Sequence, residues 1–235
     1  MTNASPDSVA ANLQQVRERI YAAARRAHRD PGEITLVAVT KTLPSERIRQ
    51  AYELGLRDFG ENRVQEAAEK IGAWLRERPT WHLIGHLQRN KARLAVQLFD
   101  AIQSVDSVEL ARALEGHAAR AGRHLPILLE VNVGGEASKA GFSPDQAFWQ
   151  AVPQILALPH LEVQGLMTVA PVANDPQDVR PVFRRLRGMR DELRLRYPSV
   201  PWLHLSMGMT DDYEVAIEEG ATIVRLGRAI FGARA

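Results

Sequence analysis

The sequence predicts an α/β protein folded as one (β/α)8 barrel of the TIM type, with an extra helix before the first strand. Short apolar runs alternate with amphipathic segments from Ile34 onward, and eight such runs are present. The runs are continuously apolar, as in parallel strands that helices cover. No glycine-rich nucleotide-binding loop follows any run, which weakens the alternative of an open, doubly wound sheet.

The predicted strands are the apolar runs, and eight is the number that closes a parallel sheet into a barrel. They cover residues 34–40, 58–62, 81–86, 101–105, 126–133, 163–169, 202–206 and 222–226. Because no linker or internal repeat interrupts the pattern, a single domain over residues 1–235 is predicted.

The predicted helices are the amphipathic segments between the strands. They cover residues 8–28, 45–54, 63–76, 89–99, 107–121, 144–158, 177–196 and 211–219, with a short final turn after Gly227. Residues 143–146 (Ser-Pro-Asp-Gln) resemble a helix start with an N-cap serine and a capping-box glutamine. Three glycines stand where helix C-termini are expected: Gly55, Gly122 and Gly220.

Composition limits the class of protein. The 235 residues are 45% hydrophobic and 25% charged, which is ordinary for a globular chain and argues against disorder. The absence of cysteine excludes disulfides and thiolate metal sites and is compatible with a reducing compartment. Neither a signal peptide nor a membrane-spanning apolar stretch is recognisable. A cytoplasmic protein without a membrane partner is therefore predicted.

The basic residues do not indicate a nucleic-acid site. Lysine and arginine together exceed aspartate and glutamate by 30 to 28. The densest basic segment, residues 184–196, carries leucines at helical spacing and interleaved acidic residues. This pattern favours the solvated face of a helix over a nucleic-acid patch.

Lys41 is the most informative residue because it ends the first apolar run. An ammonium group at the end of a buried strand loses hydration, which is expected to lower its pKa and to make a nucleophilic amine accessible. A Schiff-base lysine needs this property. The alternative is a lysine that reaches past the strand end into water.

The C-terminal ends of barrel strands meet at one rim, where active sites of this fold lie. The polar or unusual residues at the predicted strand ends are Lys41, Asn62, His82 with His86, Asp106, Asn132, Met167 with Thr168, Ser206 and Arg225. The two histidines raise the possibility of a metal site. Four residues along a strand place them about 13 Å apart, too far to bind one ion, so hydrogen bonding at the rim is preferred.

The last two strands carry a phosphate-binding pattern. Residues 205–208 (Leu-Ser-Met-Gly) and 226–229 (Leu-Gly-Arg-Ala) place a hydroxyl, glycine backbone and a helix start where barrels commonly bind phosphate. Strand alternation directs Arg225 into the barrel mouth, where a guanidinium needs an anionic or hydrogen-bond-accepting partner. A lysine for an aldehyde, a phosphate cup and an arginine for a ring nitrogen together suggest pyridoxal 5′-phosphate (PLP).

Five long motifs then resemble the pyridoxal phosphate homeostasis protein family, and the resemblance extends over nearly the whole chain. The motifs are residues 39–42 (VTKT), 59–66 (FGENRVQE), 81–91 (WHLIGHLQRNK), 135–142 (GEASKAGF) and 205–209 (LSMGM). The resemblance implies a monomeric fold-type III PLP barrel, related to the N-terminal domain of alanine racemase. It also implies a carrier that buffers or delivers PLP, with apo-enzymes as transient acceptors, rather than an enzyme.

The resemblance also implies roles for particular residues. Lys41 would form the covalent link to PLP, and Arg225 would face its pyridine nitrogen. Ser206 and the backbone amides of Gly227 and Arg228 would hold the phosphate, with Asn62 beside the cofactor. The predicted cofactor-binding set is completed by His82, Met167 and Met207.

Two alternative functions remain open from the sequence: a PLP-dependent amino-acid racemase and a phosphate-binding barrel without a covalent cofactor. Racemisation needs acid/base groups on both faces of the substrate. In the racemase the second group is a tyrosine from another domain, which we do not expect in this chain. Tyr213 is the nearest candidate here, and helix packing or a cofactor-side contact is the preferred interpretation.

Lys139 lies in a glycine-rich segment, residues 134–141, and is one of four lysines. We hypothesise that its amine accepts PLP transiently during loading or release. The alternative is a solvated loop lysine.

Overall fold

Eight parallel strands close into a barrel whose strand order follows the chain. The structure, a computed structural model, describes residues 8–74, 77–136 and 139–232. Pairing of Leu36 with Val224 and of Ala38 with Leu226 joins the first strand to the last. The predicted (β/α)8 barrel is confirmed.

The strands are shorter than predicted at several ends. They are β1 (Thr35–Val39), β2 (Asp58–Glu61), β3 (Thr80–Leu83), β4 (Ala101–Val105), β5 (Leu125–Glu130), β6 (Leu161–Met167), β7 (His204–Ser206) and β8 (Ile223–Leu226). β3 stops three residues early because the chain turns at Gly85, where a Cβ atom would lie 2.3 Å from the backbone oxygen of Asn62. The predicted extension of this strand to residue 86 is wrong.

Helices surround the barrel on its outer side. They are α1 (Val9–Arg26), α2 (Ser45–Glu53), α3 (Val64–Ile71), α4 (Ala92–Leu98), α5 (Val108–Ala121), α6 (Gln146–Leu156), α7 (Arg180–Arg196), α8 (Tyr213–Glu218) and α9 (Arg228–Phe231). The predicted helix 63–76 extends in part outside the described residues. Short 3-10 turns cover Pro31–Glu33, Gly72–Trp74, Arg89–Lys91 and Pro176–Val179.

Helix ends test the sequence signals directly. Gly55, Gly122 and Gly220 all have positive φ, at 90°, 61° and 101°, which confirms them as helix-terminating glycines. The predicted serine cap of α6 is wrong. Asp145 is the N-cap, and its carboxylate accepts the N–H of Ala147 at 2.8 Å.

The core has two layers. Alternate strand residues point outward and pack beneath the helices, where α1 also packs against α8 and α9. The interior of the barrel holds a small apolar cluster made of Val37, Leu128, Met167 and Ile223. Polar side chains occupy much of the remaining interior, which is where the candidate site lies. Among the described helices, none is long and apolar enough to cross a membrane.

Candidate cofactor-binding site

Lys41 lies in a tight turn just beyond the C-terminal end of β1. The N–H of Leu43 donates to the carbonyl oxygen of Thr40 at 3.0 Å and closes the turn. Thr42, the third residue of the turn, has a φ of 64°, which a β-branched residue rarely adopts. Such a conformation persists only where the surroundings hold it. The backbone on both sides of half-buried Lys41 is therefore held by neighbouring groups.

A buried ammonium group provides much of this support. Lys70 on α3 donates from Nζ to the carbonyl oxygen of Thr40 at 2.7 Å, to Glu61 Oε1 at 2.8 Å and to Glu66 Oε1 at 2.7 Å. Glu66 also accepts the N–H of Thr42, and Glu61 accepts the hydroxyl of Thr40 at 2.6 Å. Lys70, Glu61 and Glu66, here called the Lys70 cluster, thus bind the residues before and after the turn lysine.

The two carboxylates of the Lys70 cluster differ in their pKa values. Burial raises the pKa of Glu61, although hydrogen bonds from Lys70 and Thr40 oppose the shift. Burial acts in the same direction on Glu66, but hydrogen bonds from Lys70 and the Thr42 amide outweigh it and lower its pKa. The lowered pKa favours the ionised form of Glu66, whereas the raised pKa of Glu61 favours its protonated form more than an exposed glutamate would.

Arg225 points into the barrel from β8 and is 4% exposed. Its Nη1 donates to Ser206 Oγ at 2.6 Å, and its Nη2 donates to the carbonyl oxygen of Thr168 at 2.7 Å. Burial lowers the pKa of Arg225 to about 10, while the charges of Glu130 and Asp212 oppose the shift. The guanidinium therefore stays charged at neutral pH.

Ser206 and His82 both lie inside the barrel. The Ser206 hydroxyl donates to Gln103 Oε1 at 2.6 Å while it accepts from Arg225, so both its donor and an acceptor position are in use. The His82 ring lies between Gln103 Nε2, 3.1 Å from Nδ1, and Asp58 Oδ1, 3.0 Å from Nε2. Both side chains therefore belong to the barrel interior.

His86 does not share a strand with His82. β3 ends at Leu83, and His86 follows in the next loop, where its Nδ1 lies 3.0 Å from Asp106 Oδ2. The prediction that both histidines lie along one strand is wrong, because β3 ends before His86, and His82 faces the barrel interior rather than the rim. Within the described ranges, no group of three or more histidine, aspartate or glutamate side chains has a geometry suited to a metal ion.

Glu130 ends β5 and was not among the predicted site residues. It is 8% exposed, and its Oε2 is buried without a hydrogen-bond partner in the described part of the chain. Burial, followed by the nearby charge of Asp106, raises the pKa of Glu130 to about 7, while Arg225 and His86 oppose the shift. The barrel mouth thus contains a carboxyl group that titrates near neutral pH.

The loops after β7 and β8 bring glycine backbone to the mouth. Gly208 has a φ of 95°, and a side chain there would approach the Cβ of Ala216 to 2.6 Å. Gly227 precedes α9, and the first N–H groups of a helix have no partner within it. The Arg228 side chain points outward and donates to Asp211 Oδ2 at 2.5 Å, so only its backbone is available at the mouth.

The remaining predicted residues occupy different environments. Asn62 follows β2, and its Oδ1 is buried without a hydrogen-bond partner among the described residues. Met167 belongs to the apolar cluster inside the barrel. Met207 packs in the outer layer beneath the helices, so its side chain is not brought together with Lys41 and Arg225.

The side chains that organise the site were missed because each has an ordinary sequence context. Lys70 follows Glu66 at helical spacing, which usually indicates a solvent-exposed pair. Asp58 and Gln103 are polar residues inside predicted strands, and strand alternation was the signal that would have placed them in the interior.

Comparison with known proteins gives the family. Residues 7–235 match the family described as "Alanine racemase, N-terminal domain". The pyridoxal phosphate homeostasis protein of Aquifex aeolicus is 45% identical over 222 residues, which cover 94% of this chain and 96% of the relative. The corresponding protein of Escherichia coli K12 is 39% identical over 231 residues, or 97% of each chain.

The chain belongs to the pyridoxal phosphate homeostasis protein family. The resemblance predicted from the motifs is confirmed. Among solved structures, a protein of Bifidobacterium adolescentis described as unknown has a TM-score of 0.89 at 38% identity and covers 98% of this chain and 97% of its own.

A second solved structure contains a ligand. PipY of Synechococcus elongatus PCC7942, solved with PLP bound, has a TM-score of 0.80 at 38% identity, covering 92% of this chain and all of its own. Alanine racemase of Clostridium difficile has a TM-score of 0.74 at 14% identity and covers 97% of this chain but 57% of its own. The racemase therefore shares the fold of this homeostasis protein family.

Proposed function

We propose that this protein binds PLP covalently through Lys41 and acts as a carrier that buffers or delivers the coenzyme. One arrangement carries the proposal: a strained turn holds Lys41 at the mouth of the barrel, and buried Arg225 reaches the interior from the strand next to β1. The names of the relatives and the PLP bound to PipY support it.

The polar groups at the mouth suit this ligand. The Lys41 amine would condense with the aldehyde and release water, and Arg225 would donate to the ring nitrogen. The phosphate would accept backbone N–H groups at Gly227 and Arg228. Asn62 offers a buried oxygen without a partner in the described chain, which is complementary to a hydroxyl group of the ligand.

The other predicted site residues would act on the cofactor in different ways. Ser206 would act on the cofactor partly through Arg225, because its hydroxyl already bonds Arg225 and Gln103. His82 bonds Gln103 and would therefore act on the cofactor only through Gln103, Ser206 and Arg225. Met167 would form apolar floor beneath the ligand, and Met207 would contribute backbone rather than side chain.

We infer a carrier rather than a racemase because none of the tyrosines in the described part of the chain is placed to serve as a second proton donor. Tyr213 is the nearest candidate, but its hydroxyl is buried and has no hydrogen-bond partner among the described residues. Its ring packs in the outer layer, with the Arg19 guanidinium 5.4 Å from the ring centroid. Burial raises the pKa of Tyr213. A proton donor of this kind does not serve a ligand inside the barrel.

We also propose that the protein acts as a cytoplasmic monomer, with apo-forms of PLP enzymes as transient acceptors and without a nucleic-acid partner. The lack of cysteine supports a reducing compartment. The arginines of α7 pair with acidic side chains: Arg180 with Glu218, and Arg184 and Arg187 with Glu219. This pairing lowers the positive charge of the face that a nucleic acid would contact.

Titration of the purified protein with PLP tests the proposal. After unbound PLP is removed, we expect the band of an imine, distinct from that of the free aldehyde, that borohydride abolishes, and we expect its loss in Lys41→Ala. Lys91→Ala, which alters another half-buried lysine, one that lines a cavity together with Asn62, is the control and should keep the band. A band retained in Lys41→Ala would contradict the covalent site.

Incubation with L- or D-alanine separates a carrier from a racemase. The PLP-loaded protein is expected to leave the optical rotation of either enantiomer unchanged. Sustained racemisation that Lys41→Ala abolishes would favour the racemase alternative. The same PLP-loaded sample gives both this result and the binding result.

A further inference from the structure

A continuous set of hydrogen bonds crosses the barrel interior from Arg225 to the opposite end. Arg225, Ser206, Gln103, His82 and Asp58, here called the polar chain, come from β8, β7, β4, β3 and β2. Successive donor–acceptor distances are 2.6, 2.6, 3.1 and 3.0 Å. Asp58 is the first residue of β2 and lines a cleft at the N-terminal face of the barrel. The polar chain therefore connects the mouth with the opposite face.

The hydrogen bonds of the polar chain all point in one direction. Arginine can only donate, so Ser206 accepts from Arg225 and its own proton goes to Gln103 Oε1. The amide nitrogen of Gln103 then faces His82 Nδ1, which must accept. His82 consequently carries its proton on Nε2 and donates it to Asp58. This assignment leaves a head-to-tail path from a guanidinium to a carboxylate.

Arg225 depends on this path because no carboxylate in the described chain forms an ion pair with it. Glu130 and Asp212 affect its pKa through their charge, but its hydrogen bonds go to Ser206 and to a backbone oxygen. A buried cation needs compensation. Hydrogen bonds in series polarise one another, so the carboxylate of Asp58 strengthens the acceptor at Ser206.

We propose that Asp58, His82 and Gln103 are positioning residues that fix the Arg225 guanidinium through Ser206 and thereby set how strongly it donates to the bound ligand. This inference rests on the proposed function, in which the ligand is PLP and the acceptor of the Arg225 hydrogen bond is its pyridine nitrogen. Ser206 links these residues to the guanidinium, because its hydroxyl donates to Gln103 and accepts from Arg225. Residues toward the N-terminal face of the barrel thus affect the hydrogen bond that Arg225 donates to the ligand at the mouth.

Two variants interrupt the polar chain without touching the mouth. Gln103→Leu keeps the approximate volume and removes both of the central hydrogen bonds. Asp58→Asn keeps an acceptor for His82 and removes the charge, which provides a second test if Gln103→Leu does not fold. The controls are Gln154→Leu on the exposed face of α6 and Glu162→Gln on β6, both outside the polar chain.

Nitrogen-15 NMR of the apoprotein tests the polar chain independently of the cofactor. We expect the wild type to show His82 protonated on Nε2, and we expect Gln103→Leu to shift the Arg225 Nε–Hε resonance while Gln154→Leu does not. Asp58→Asn should shift the His82 ring resonances, unlike Glu162→Gln. A His82 ring protonated on Nδ1 would overturn the assignment of direction.

Absorption spectra of the PLP-loaded proteins test the link to the cofactor. Gln103→Leu should shift the absorption maximum and raise the PLP dissociation constant about fivefold, the effect expected if the hydrogen bond from Arg225 to the ligand is lost. Wild-type spectra and affinity in both Gln103→Leu and Asp58→Asn would overturn the proposal and leave the proposed function intact. Failure of the wild type to bind PLP would overturn both the proposed function and this role of the polar chain.

Discussion

The ammonium nitrogen of Lys70 lies 2.7 Å from the carbonyl oxygen of Thr40, the residue immediately before Lys41. Lys70 belongs to α3, whereas Lys41 follows β1, so the position of the proposed PLP lysine is set by a neighbouring unit of the barrel. Glu66, also on α3, binds the amide of Thr42 on the other side. The turn that carries Lys41 is therefore held through its backbone.

Lys70→Met is expected to destabilise the protein and weaken PLP binding together. The substitution leaves fully buried Glu61 and partly buried Glu66 without their shared ammonium partner. Breaking a buried pair in this way costs about 3 kcal/mol of the free energy of unfolding. Urea denaturation and PLP titration measure the two effects. Lys91→Met is the matched control, and an unchanged PLP affinity in Lys70→Met would limit the Lys70 cluster to a structural role.

Gly208→Ala should reduce both stability and PLP affinity. The residue has a φ of 95°, and the added Cβ would meet Ala216 and the backbone of Tyr213 at 2.6 and 2.9 Å. The loop beside the predicted phosphate position would have to shift. Gly188→Ala in α7 meets no atom within 4 Å and should stabilise the helix by about 1 kcal/mol. Thermal unfolding of both variants measures these opposite changes in stability. Equal changes in the two variants would contradict the prediction.

Glu130→Gln should flatten the pH dependence of stability. The raised pKa, about 7, means that between the ordinary carboxyl pKa and pH 7 the folded protein holds a proton that the unfolded chain has lost. The free energy of unfolding therefore falls as pH rises through this window. Denaturation at about pH 5 and about pH 8 measures this fall in the free energy of unfolding. The fall should be smaller in Glu130→Gln than in the wild type, by on the order of 2 kcal/mol.

Glu162→Gln is the control for this pH effect, because it removes an exposed carboxylate from β6. It should retain the wild-type difference between the two pH values. If Glu130→Gln also retains that difference, Glu130 does not titrate in the predicted window.

Lys139→Ala tests the hypothesis of a second PLP-accepting amine. In the structure the Lys139 Nζ donates to the carbonyl oxygen of Ala170 at 2.9 Å and pairs with Glu136. These contacts place the amine on the surface of the barrel rather than extended into solvent. We expect the variant to transfer PLP to an apo-enzyme more slowly while binding PLP normally. A transfer rate equal to that of wild type and Lys91→Ala would contradict the hypothesis.

The architecture was predictable because it depends on patterns that local sequence carries. Eight apolar runs and helix-ending glycines such as Gly122 were sufficient for the barrel. The exact end of β3 was not predictable, because it depends on the close approach of Gly85 to the backbone of Asn62. Residues 137–138 of the motif 135–142 lie outside the described residues.

The candidate site was predictable where a residue stands at a strand end, and less so where it acts from inside the barrel. Lys41 and Asn62 were recognised from their positions after β1 and β2. Gln103 and Asp58 were not, because only the three-dimensional register brings β2, β3, β4 and β7 into one hydrogen-bonded path. Glu130 was missed because β5 ends earlier than its apolar run.

Borohydride reduction of the PLP-loaded protein, followed by peptide mass spectrometry, tests the central claim most directly. Reduction converts the covalent link between PLP and its lysine into a stable phosphopyridoxyl adduct. We predict that the adduct is found on the peptide containing Lys41 and is absent from Lys41→Ala. An unmodified Lys41 in wild-type protein that has demonstrably bound PLP would contradict the account.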